Sequence, residues 1–349
     1  PRRTPADHGG LQLMRVLTLS NADIHAALSP EACEQAMAVV LAARARGEAF
    51  NPLRTVSAPP GAAGFIGLMP AYASMAAAAS GTEGAAAEGA AFGLKVVCIM
   101  RGNPARGLDA HQGTVTLYDG ETGMPTAILN ASAVTEIRTA AVTAVATRAL
   151  ARDGARVLCV LGAGVQARSH LVALDGVRDW EEVRAYAPTR AHVEALRETR
   201  PDITVAASAQ DAVRGADVVV VATSAKRPVL EHAWLAPGAH VNAVGASSPT
   251  AWEISPATVA AASLFCDSRE SVRNEAGEFR LAVDEGLIAG EDHIRAELGE
   301  VVTGSHPGRE SEDELTVFRS LGIGVEDLAA AQVAVSVARS QGIGTEVEL

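Results

Sequence analysis

A glycine-rich turn at residues 162–167 carries the clearest chemical signal in this chain of 349 residues. It reads Gly162-Ala-Gly-Val-Gln-Ala167 and follows the apolar run Val157–Leu161, which is typical of a buried strand. In this spacing the first glycine makes a tight turn, the second lets backbone approach a pyrophosphate, and the last small residue permits close helix–strand packing. A helical pattern begins at the turn, so free N–H groups would face the phosphates. The turn therefore predicts a dinucleotide site.

The end of the next predicted strand, Glu182–Tyr186, indicates which dinucleotide is preferred. An Asp or Glu at this place would bind the ribose 2′-hydroxyl of NAD, whereas an Arg nearby would accept the 2′-phosphate of NADP. The sequence continues Ala187-Pro-Thr189-Arg190 and contains no acid there. NADPH is therefore expected to be preferred over NADH, which stays the alternative.

Three basic residues lie in segments that are otherwise apolar or small. Lys95 is inside the strand-like run Gly93–Met100, Arg54 is in a short apolar-flanked segment, and Arg138 opens an Ala-rich helical pattern. A lysine is seldom fully buried without a partner, because an unpaired buried charge is costly. Two interpretations stay open from the pattern alone: these residues act in catalysis, or Lys95 lies at a sheet edge and both arginines face solvent.

Two different patterns must position these residues. Before about residue 135 the chain shows short β-like segments, and after it strands and helices alternate as a doubly wound parallel sheet requires. A helix capped at Ser132 or Thr135 joins the two parts and ends near Arg152. The predicted fold is α/β, a Rossmann-type doubly wound sheet plus a mixed α+β domain. The predicted strands are Val16–Leu19, Arg54–Ala58, Gly64–Met69, Gly93–Met100, Gly113–Tyr118, Thr126–Leu129, Val157–Leu161, Glu182–Tyr186, Thr204–Ala206, Asp217–Ala222, His240–Val244 and, last, Leu264–Asp267.

The composition and the absence of certain sequence patterns limit which partners, location and metals are expected. The net charge is −12 and no Lys/Arg-rich run occurs, so nucleic acid and anionic membranes are not expected partners. No apolar run reaches the ~18–20 residues of a membrane span, and no signal-peptide pattern follows the N-terminus, so a cytoplasmic location is expected. The four cysteines and nine histidines lack metal-ligand spacing, so no metal is expected. Residues 1–13 are interpreted as a disordered leader and residues 76–91 as a low-complexity surface insertion.

Several stretches together resemble the ornithine cyclodeaminase/mu-crystallin family of nicotinamide-dependent enzymes, and most of all its mu-crystallin, ketimine reductase, branch. The resemblance covers nearly all of residues 15–345, and the combination of motifs is more specific than any one of them. The matching stretches are Met69-Pro-Ala-Tyr72, Lys95, Gly107-Leu108 with His111-Gln112, Val134-Thr135 with Arg138-Thr-Ala-Ala141, Gly162–Ala167, Val241–Ser247 with Pro249, Ala296–Glu300, and Thr316–Gly322 with Val325–Asp327.

The resemblance implies a domain of residues 1–135 with 320–349 that binds substrate and forms a homodimer, and a dinucleotide domain of residues 136–319. It also implies that Arg54, Lys95 and Arg138 surround the carboxylate of a small imino or amino acid, with Leu321 beside the substrate. Charge-assisted bonds from such residues suit a carboxylate. The residues implied to line the cofactor are His111, Thr139, Gly162, Gly164, Val165, Gln166, Thr189, Arg190, Thr223, Val244, Gly245 and Ser320.

Ser247 is the one departure from the family pattern that bears on chemistry. Family cyclodeaminases, and the related alanine dehydrogenases, have at this position an Asp that transfers protons. A Ser hydroxyl does not ionise near neutrality and is a poor base, whereas a protonated imine accepts hydride at carbon without one. Lys95, Arg138 and Ser247 are thus the expected catalytic positions of a reductase of small cyclic 2-imino acids, such as pyrroline- or piperideine-2-carboxylate.

Three alternatives stay open from the sequence. One is an ornithine or lysine cyclodeaminase with bound NAD, and another is an alanine-type amino-acid dehydrogenase. The third is a protein that binds a nicotinamide cofactor and a small ligand without turnover.

Overall fold

Two eight-stranded β-sheets organise the chain in the computed structural model, which describes residues 14–74 and 89–349. The predicted leader, residues 1–13, and residues 76–88 of the predicted insertion lie outside the described residues. The predicted fold class is confirmed: one sheet is mixed and the other is entirely parallel.

The mixed sheet has the strand order β16-β1-β7-β6-β5-β4-β2, with β3 paired to β4. Its neighbours are antiparallel except for β1 and β7, which are parallel. The strands are β1 (Arg15–Leu19), β2 (Ala49–Phe50), β3 (Thr55–Ser57), β4 (Phe65–Ala73), β5 (Ala91–Ile99), β6 (His111–Asp119), β7 (Pro125–Asn130) and β16 (Thr345–Glu348).

Register places Lys95 in the middle of the buried face of this sheet. Lys95 is opposite Met69 on β4 and Val115 on β6, and Val115 is opposite Leu129 on β7. Directly opposed residues point to the same side of a sheet. Since Met69, Val115 and Leu129 are all buried, Lys95 belongs to the row of core residues and does not lie at a sheet edge.

The opposite face of the mixed sheet is apolar and exposed. Ile66, Leu68 and Phe92 lie on it and are between 36% and 47% exposed. The ring of Phe92 packs on Tyr72 from the neighbouring strand, with centroids 4.8 Å apart. This outer face is therefore a continuous apolar surface rather than a set of isolated side chains.

Four helices cover the inner face of the mixed sheet: α1 (Asn21–Ala27), α2 (Pro30–Ala45), α3 (Ala131–Leu150) and α11 (Gly324–Gln341). Helix α2 begins as the sequence predicts, because Ser29 caps it and Pro30 occupies the first turn. Helix α11 ends at Gly342, whose φ of +68° is the left-handed conformation that favours glycine.

Helix α3 packs against strands of both sheets. Its alanines allow this close approach, since small side chains bring a helix axis near its neighbours. The prediction of its cap was wrong: Asn130 Oδ1 accepts from the Ala133 N–H at 3.0 Å. The Thr135 hydroxyl instead donates to the carbonyl of Ala131 inside the helix. The strand before the helix ends at the capping residue, so no loop separates the two elements.

The parallel sheet has the order β10-β9-β8-β11-β12-β15-β13-β14. Strand order reverses between β8 and β11, which is where a doubly wound sheet binds ligands beyond its carboxyl ends. Its strands are β8 (Val157–Leu161), β9 (Glu182–Tyr186), β10 (Thr204–Val205), β11 (Val218–Val221), β12 (His240–Ala243), β13 (Ser263–Cys266), β14 (Ile294–Glu297) and β15 (Thr316–Arg319). The flanking helices are α4 (Val165–Ala173), α5 (Arg190–Glu194), α6 (Ala209–Val213), α7 (Pro256–Ala261), α8 (Arg269–Glu275), α9 (Gly277–Asp284) and α10 (Leu298–Val302).

The prediction that Leu264–Asp267 is the last strand was wrong. Strand β15 lies between β12 and β13 in the middle of the sheet, and β14 forms its edge. Strand β15 has only two consecutive apolar residues, Val317 and Phe318, before it ends at Arg319, whose buried charge is matched by Glu278. From β15 the chain passes in four residues to α11, so residues 320–323 connect the parallel sheet to the mixed one.

No helix in the two described ranges combines the length and the hydropathy needed to cross a membrane. Within those ranges, no group of three or more His, Cys, Asp or Glu side chains is arranged to hold a metal ion.

Candidate active site

Lys95 and Arg138 meet at a single carboxylate between the two sheets. The Lys95 Nζ donates to Asp327 Oδ1 at 2.9 Å, and the Arg138 Nε donates to the same oxygen at 3.1 Å. Arg138 also donates to Glu326 Oε2 at 2.8 Å. These four side chains are at most 6% exposed. The sheet supplies the lysine, α3 the arginine and the first turn of α11 both acids.

Burial and the charged groups beside each acid set the pKa values of Glu326 and Asp327 in opposite directions. Burial raises the pKa of Glu326 to about 8 against the attraction of Arg138, with Asp267 and Asp327 raising it further. Burial would also raise the pKa of Asp327, but Lys95 and Arg138 outweigh it and hold that pKa below its usual value. Burial and the neighbouring acids therefore favour the neutral form of Glu326, whereas Asp327 is held in its charged form by the two cations that share it.

Arg54 joins the cluster through the connecting segment 320–323. Its Nη2 donates to the carbonyls of Leu321 and Gly322 at 2.6 and 2.7 Å, and its Nε pairs with Glu275 Oε1 at 2.9 Å. The N–H groups of Leu321 and Gly322 donate to Asp267 Oδ2, each at 2.6 Å. Both the N–H groups and the carbonyl groups of Leu321 and Gly322 are therefore hydrogen-bonded to ionisable side chains. The structure brings Arg54, Lys95, Arg138 and Leu321 close to one another, and their predicted place around a substrate carboxylate stays a prediction.

The glycine turn lies at the point where strand order reverses. Gly162 has φ +124°, and a Cβ there would collide with the carbonyl oxygen of Ala222 at the end of β11. No atom lies within 4 Å of a Cβ built on Gly164, so space beside the second glycine is open. Helix α4 begins here without a side-chain cap, which leaves its first N–H groups for a ligand. This arrangement fits the pyrophosphate of a dinucleotide.

Two buried polar atoms near this turn have no hydrogen-bond partner within the described part of the chain: Gln166 Oε1 on α4 and Ser320 Oγ at the end of β15. Buried polar atoms are nearly always paired, so such atoms at strand and helix ends indicate a ligand. Thr223, Val244 and Gly245 follow the carboxyl ends of β11 and β12, at the same edge of the sheet. Together with the open turn, these residues fit a dinucleotide.

Other predicted residues lie around this edge. Thr139 follows Arg138 on α3 and is 6% exposed. Thr189 and Arg190 are exposed at the start of α5, where Arg190 pairs with Glu194 at 2.8 Å. Val165 opens α4 and is 45% exposed.

His111 and Ser247 are two further predicted residues with partly open surroundings. His111 begins β6 on the same face as Lys95, and its side chain is 50% exposed. Its pKa is lowered by partial burial, opposed by Asp109, and lowered further by Lys95 and Arg138. Ser247 is exposed in the turn after β12.

Sequence reasoning missed the acids that neutralise the basic residues. Glu326 and Asp327 lie in one of the stretches that resemble the family, but no role was predicted for them. Asp267 and Glu275 were not predicted as site residues. One signal was present: three cations in apolar segments require buried anions elsewhere in the chain. Spacing could not identify those anions, since Lys95 and Asp327 are 232 positions apart.

Known proteins share this architecture. The profile described as the ornithine cyclodeaminase/mu-crystallin family matches residues 14–342. The ketimine reductase mu-crystallin of Mus musculus is 40% identical over 288 residues, which are 82% of this chain and 85% of that protein. The Delta(1)-pyrroline-2-carboxylate reductase of Thermococcus litoralis, solved with NADH and L-proline, has a TM-score of 0.87 and 34% identity, covering 95% of this chain and 100% of that one.

An archaeal alanine dehydrogenase dimer with bound NAD has a TM-score of 0.87 and 30% identity, covering 96% of this chain and 99% of that one. The family resemblance carried by the sequence motifs is thereby confirmed along nearly the whole chain. The protein belongs to the ornithine cyclodeaminase/mu-crystallin family.

Proposed function

We propose that the protein is an NAD(P)H-dependent reductase of small cyclic 2-imino acids of the pyrroline- or piperideine-2-carboxylate type. One observation carries this proposal: Lys95 and Arg138 share a single charged carboxylate oxygen between the two sheets. With Glu326 protonated, the cluster holds more positive than negative charge. A substrate carboxylate would restore the balance, through bonds that are strong because both partners are charged.

The geometry of the substrate makes this anchoring effective. In a 2-imino acid the imine carbon is bonded directly to the carboxylate carbon, so fixing the carboxylate also fixes the carbon to be reduced. Lys95 and Arg138 would hold the carboxylate, and Arg54 would hold the segment that carries Leu321 against the substrate ring. Positioning of this kind supplies a large part of the rate of a two-reactant step.

The nicotinamide dinucleotide supplies the hydride when bound. The glycine turn 162–167 would hold its pyrophosphate, and Thr223, Val244, Gly245 and Ser320 would hold the part nearer the reacting carbon. His111, Thr139 and Gln166 complete the proposed lining. We include in the proposal a preference for NADPH, because Thr189 and Arg190 supply a hydroxyl and a guanidinium where an acid would select NAD.

Names of the relatives support the same chemistry. A ketimine reductase and a pyrroline-2-carboxylate reductase are both at least 34% identical to this chain. Ser247 favours reduction over cyclodeamination, because a hydroxyl cannot serve as the base that the removal of an amine proton needs.

The proposal includes a homodimer and two domains, one that binds substrate and one that binds the dinucleotide. The outer face of the mixed sheet, which carries Ile66, Leu68 and Phe92, is the apolar surface that a second copy would cover. Residues 1–135 with 320–349 would bind substrate and form this dimer, and residues 136–319 would bind the dinucleotide. Packing of α11 on the mixed sheet supports that division, while the boundary at 135 falls inside α3.

The test is consumption of NADPH and NADH by purified protein with Δ1-pyrroline-2-carboxylate and Δ1-piperideine-2-carboxylate. Oxidation of either dinucleotide with at least one of these imines is expected, and Lys95→Ala should lose nearly all of the rate while retaining dinucleotide affinity. Arg46→Ala, which removes an exposed cation paired with Glu48, should keep the rate. Ammonia release from ornithine without imine reduction, or NADH formation from alanine alone, would refute the proposal.

A further inference from the structure

The carboxylate of Glu253 joins the ends of two neighbouring strands of the parallel sheet. Its Oε1 accepts from the N–H and the hydroxyl of Thr223, at 2.7 and 2.6 Å, after β11. Its Oε2 accepts from the N–H groups of Gly245 and Ala246, at 2.6 and 2.7 Å, after β12. Glu253 is 2% exposed, so four donors converge on one carboxylate that water scarcely reaches.

Arg319 holds the same turn through its carbonyl groups. It donates to the carbonyl of Ala243 at 2.9 Å, to that of Ser320 at 2.9 Å, and to that of Ala246. Its charge is matched by Glu278, and both side chains are 2% exposed. Ala246 is therefore fixed at its N–H by a buried anion and at its carbonyl by a buried cation.

The turn that is held so firmly presents bare backbone to solvent. Gly245 is exposed although Ala246 beside it is buried. A Cβ at Gly245 would collide with the Thr223 carbonyl oxygen and lie 2.5 Å from Glu253 Oε1, so no side chain fits without moving both Glu253 and the backbone that follows β11. Buried charges are expensive, and packing alone does not require three of them, Glu253, Arg319 and Glu278, around one exposed turn.

We infer that Glu253 and Arg319 are positioning residues that hold Thr223 and residues 244–246 as a rigid platform for the nicotinamide half of the dinucleotide. This inference rests on the proposed function only in taking a nicotinamide dinucleotide as the ligand of this edge. The platform lies at the carboxyl ends of β11 and β12, beside the reversal of strand order, whereas the adenine half would follow β9. Loosening the platform should therefore weaken binding of the nicotinamide half and leave binding of the adenine half unchanged.

Glu253→Gln separates the two halves. A glutamine offers one oxygen and one NH₂ group, so it can accept from one strand end while its NH₂ group opposes the N–H donors of the other. We expect the Kd of NADPH to rise about ten-fold, as the loss of charged hydrogen bonds implies. The Kd of adenosine 2′,5′-bisphosphate, which lacks the nicotinamide half, should stay within about two-fold. The primary isotope effect with 4-deuterated NADPH should increase, because misplacement slows hydride transfer itself.

Asp217→Asn is the matched control. Asp217 is 6% exposed and accepts from the N–H groups of Arg156 and Val157, at 2.7 and 2.9 Å, near the opposite, amino ends of β8 and β11. The Asp217→Asn variant should have a lower melting temperature, while the ratio of its Kd values for NADPH and adenosine 2′,5′-bisphosphate should equal that of the wild type. Glu253→Asp, which keeps the charge but reaches one strand end, provides the same comparison if the Gln variant does not fold.

Equal weakening of both ligands by the Glu253 variants, or unchanged NADPH affinity with an unchanged isotope effect, would overturn the inference. The ratio of Kd values does not depend on turnover. A wild-type protein that binds NADPH but reduces no imine would therefore refute the proposed function and still test the platform. Where NADH is the tighter ligand, NADH and ADP replace the two probes.

Discussion

The backbone of Gly322 lies directly against the guanidinium of Arg138. A Cβ at position 322 would stand 2.6 Å from one terminal nitrogen of Arg138 and 2.7 Å from the other. The φ of Gly322 is +76°, a conformation that side chains rarely adopt. Its carbonyl also accepts from Arg54. A single glycine therefore sets the distance between the two arginines that would surround the substrate.

Gly322→Ala should damage substrate binding more than folding. The new methyl group must push Arg138 away from Asp327, so we expect the KM for the imino acid to rise at least about ten-fold. Dinucleotide affinity should change little. The positive φ adds a cost of about 1–2 kcal/mol to folding. Steady-state kinetics and dinucleotide titration measure the two effects separately.

Gly342→Ala controls for backbone strain alone. Gly342 also has a positive φ, +68°, but no atom lies within 4 Å of a Cβ built on it. It should reduce stability by a similar amount and leave the KM unchanged. A comparable rise of KM in both variants would show that strain, and not contact with Arg138, is responsible.

Lys95 should impose a limit on activity at high pH. Burial lowers its pKa to about 8, while Asp327 acts in the opposite direction and Arg138 lowers the pKa further. Only the protonated form attracts a carboxylate, so kcat/KM should fall as pH rises through about 8. Asp327→Asn removes the group that raises this pKa, so the fall should move to lower pH. If kcat/KM falls at the same pH in the variant as in the wild type, the fall reflects deprotonation of the substrate imine and not of Lys95.

Arg190 should decide between the two dinucleotides. It is exposed at the start of α5, and its ion-pair partner among the described residues is Glu194 on its own helix, so Arg190 can turn toward a 2′-phosphate. Arg190→Ala should raise the KM of NADPH about ten-fold and leave that of NADH nearly unchanged. Glu194→Gln releases Arg190 and should favour NADPH slightly. Equal effects on both dinucleotides would contradict the assignment.

Local patterns in the sequence predicted most of the strands and helices but not the pairings between them. The glycine turn was identifiable because strand, turn and helix are contiguous, and the structure places Gly162 at the reversal of strand order. Strand β15 was missed since its final residue is a charged one, Arg319, which is buried only because Glu278 faces it. The partner of Lys95 was missed for a similar reason: Asp327 opens a helix, where an acid ordinarily interacts with the helix dipole in solvent.

Phe92→Glu should dissociate the proposed homodimer. Phe92 is 47% exposed on the outer face of the mixed sheet and packs on Tyr72. A carboxylate there would have to lose its water when a second copy covers the face, at a cost of several kcal/mol. Light scattering with size-exclusion chromatography should show a monomer. Val172→Glu places the same charge on the exposed side of α4, where Val172 is 49% exposed, and should leave the dimer intact.

Two buried histidines should make the fold sensitive to acid. Burial lowers the pKa of His170 to about 4 and that of His240 to about 3, so both are neutral when the protein is folded. In the unfolded chain they bind protons below about pH 6.5, so the stability that their neutral forms contribute is present above that pH and is lost as pH falls toward 4. Between pH 7 and pH 5 each should contribute a loss of about 2 kcal/mol.

His170→Gln isolates one of these contributions. The ring of His170 bonds to the Gln166 carbonyl at 2.7 Å and to the Thr143 hydroxyl at 3.0 Å, which links the helix of the glycine turn to the helix that carries Arg138. The variant should be less stable than the wild type at pH 7, because a glutamine makes only part of these bonds. Urea unfolding at pH 7 and pH 5 should nevertheless show a smaller loss on acidification, by about 2 kcal/mol. His232→Gln, at an exposed position, should retain the wild-type loss. If the His170 variant loses as much stability as the wild type, protonation of this link does not drive acid unfolding.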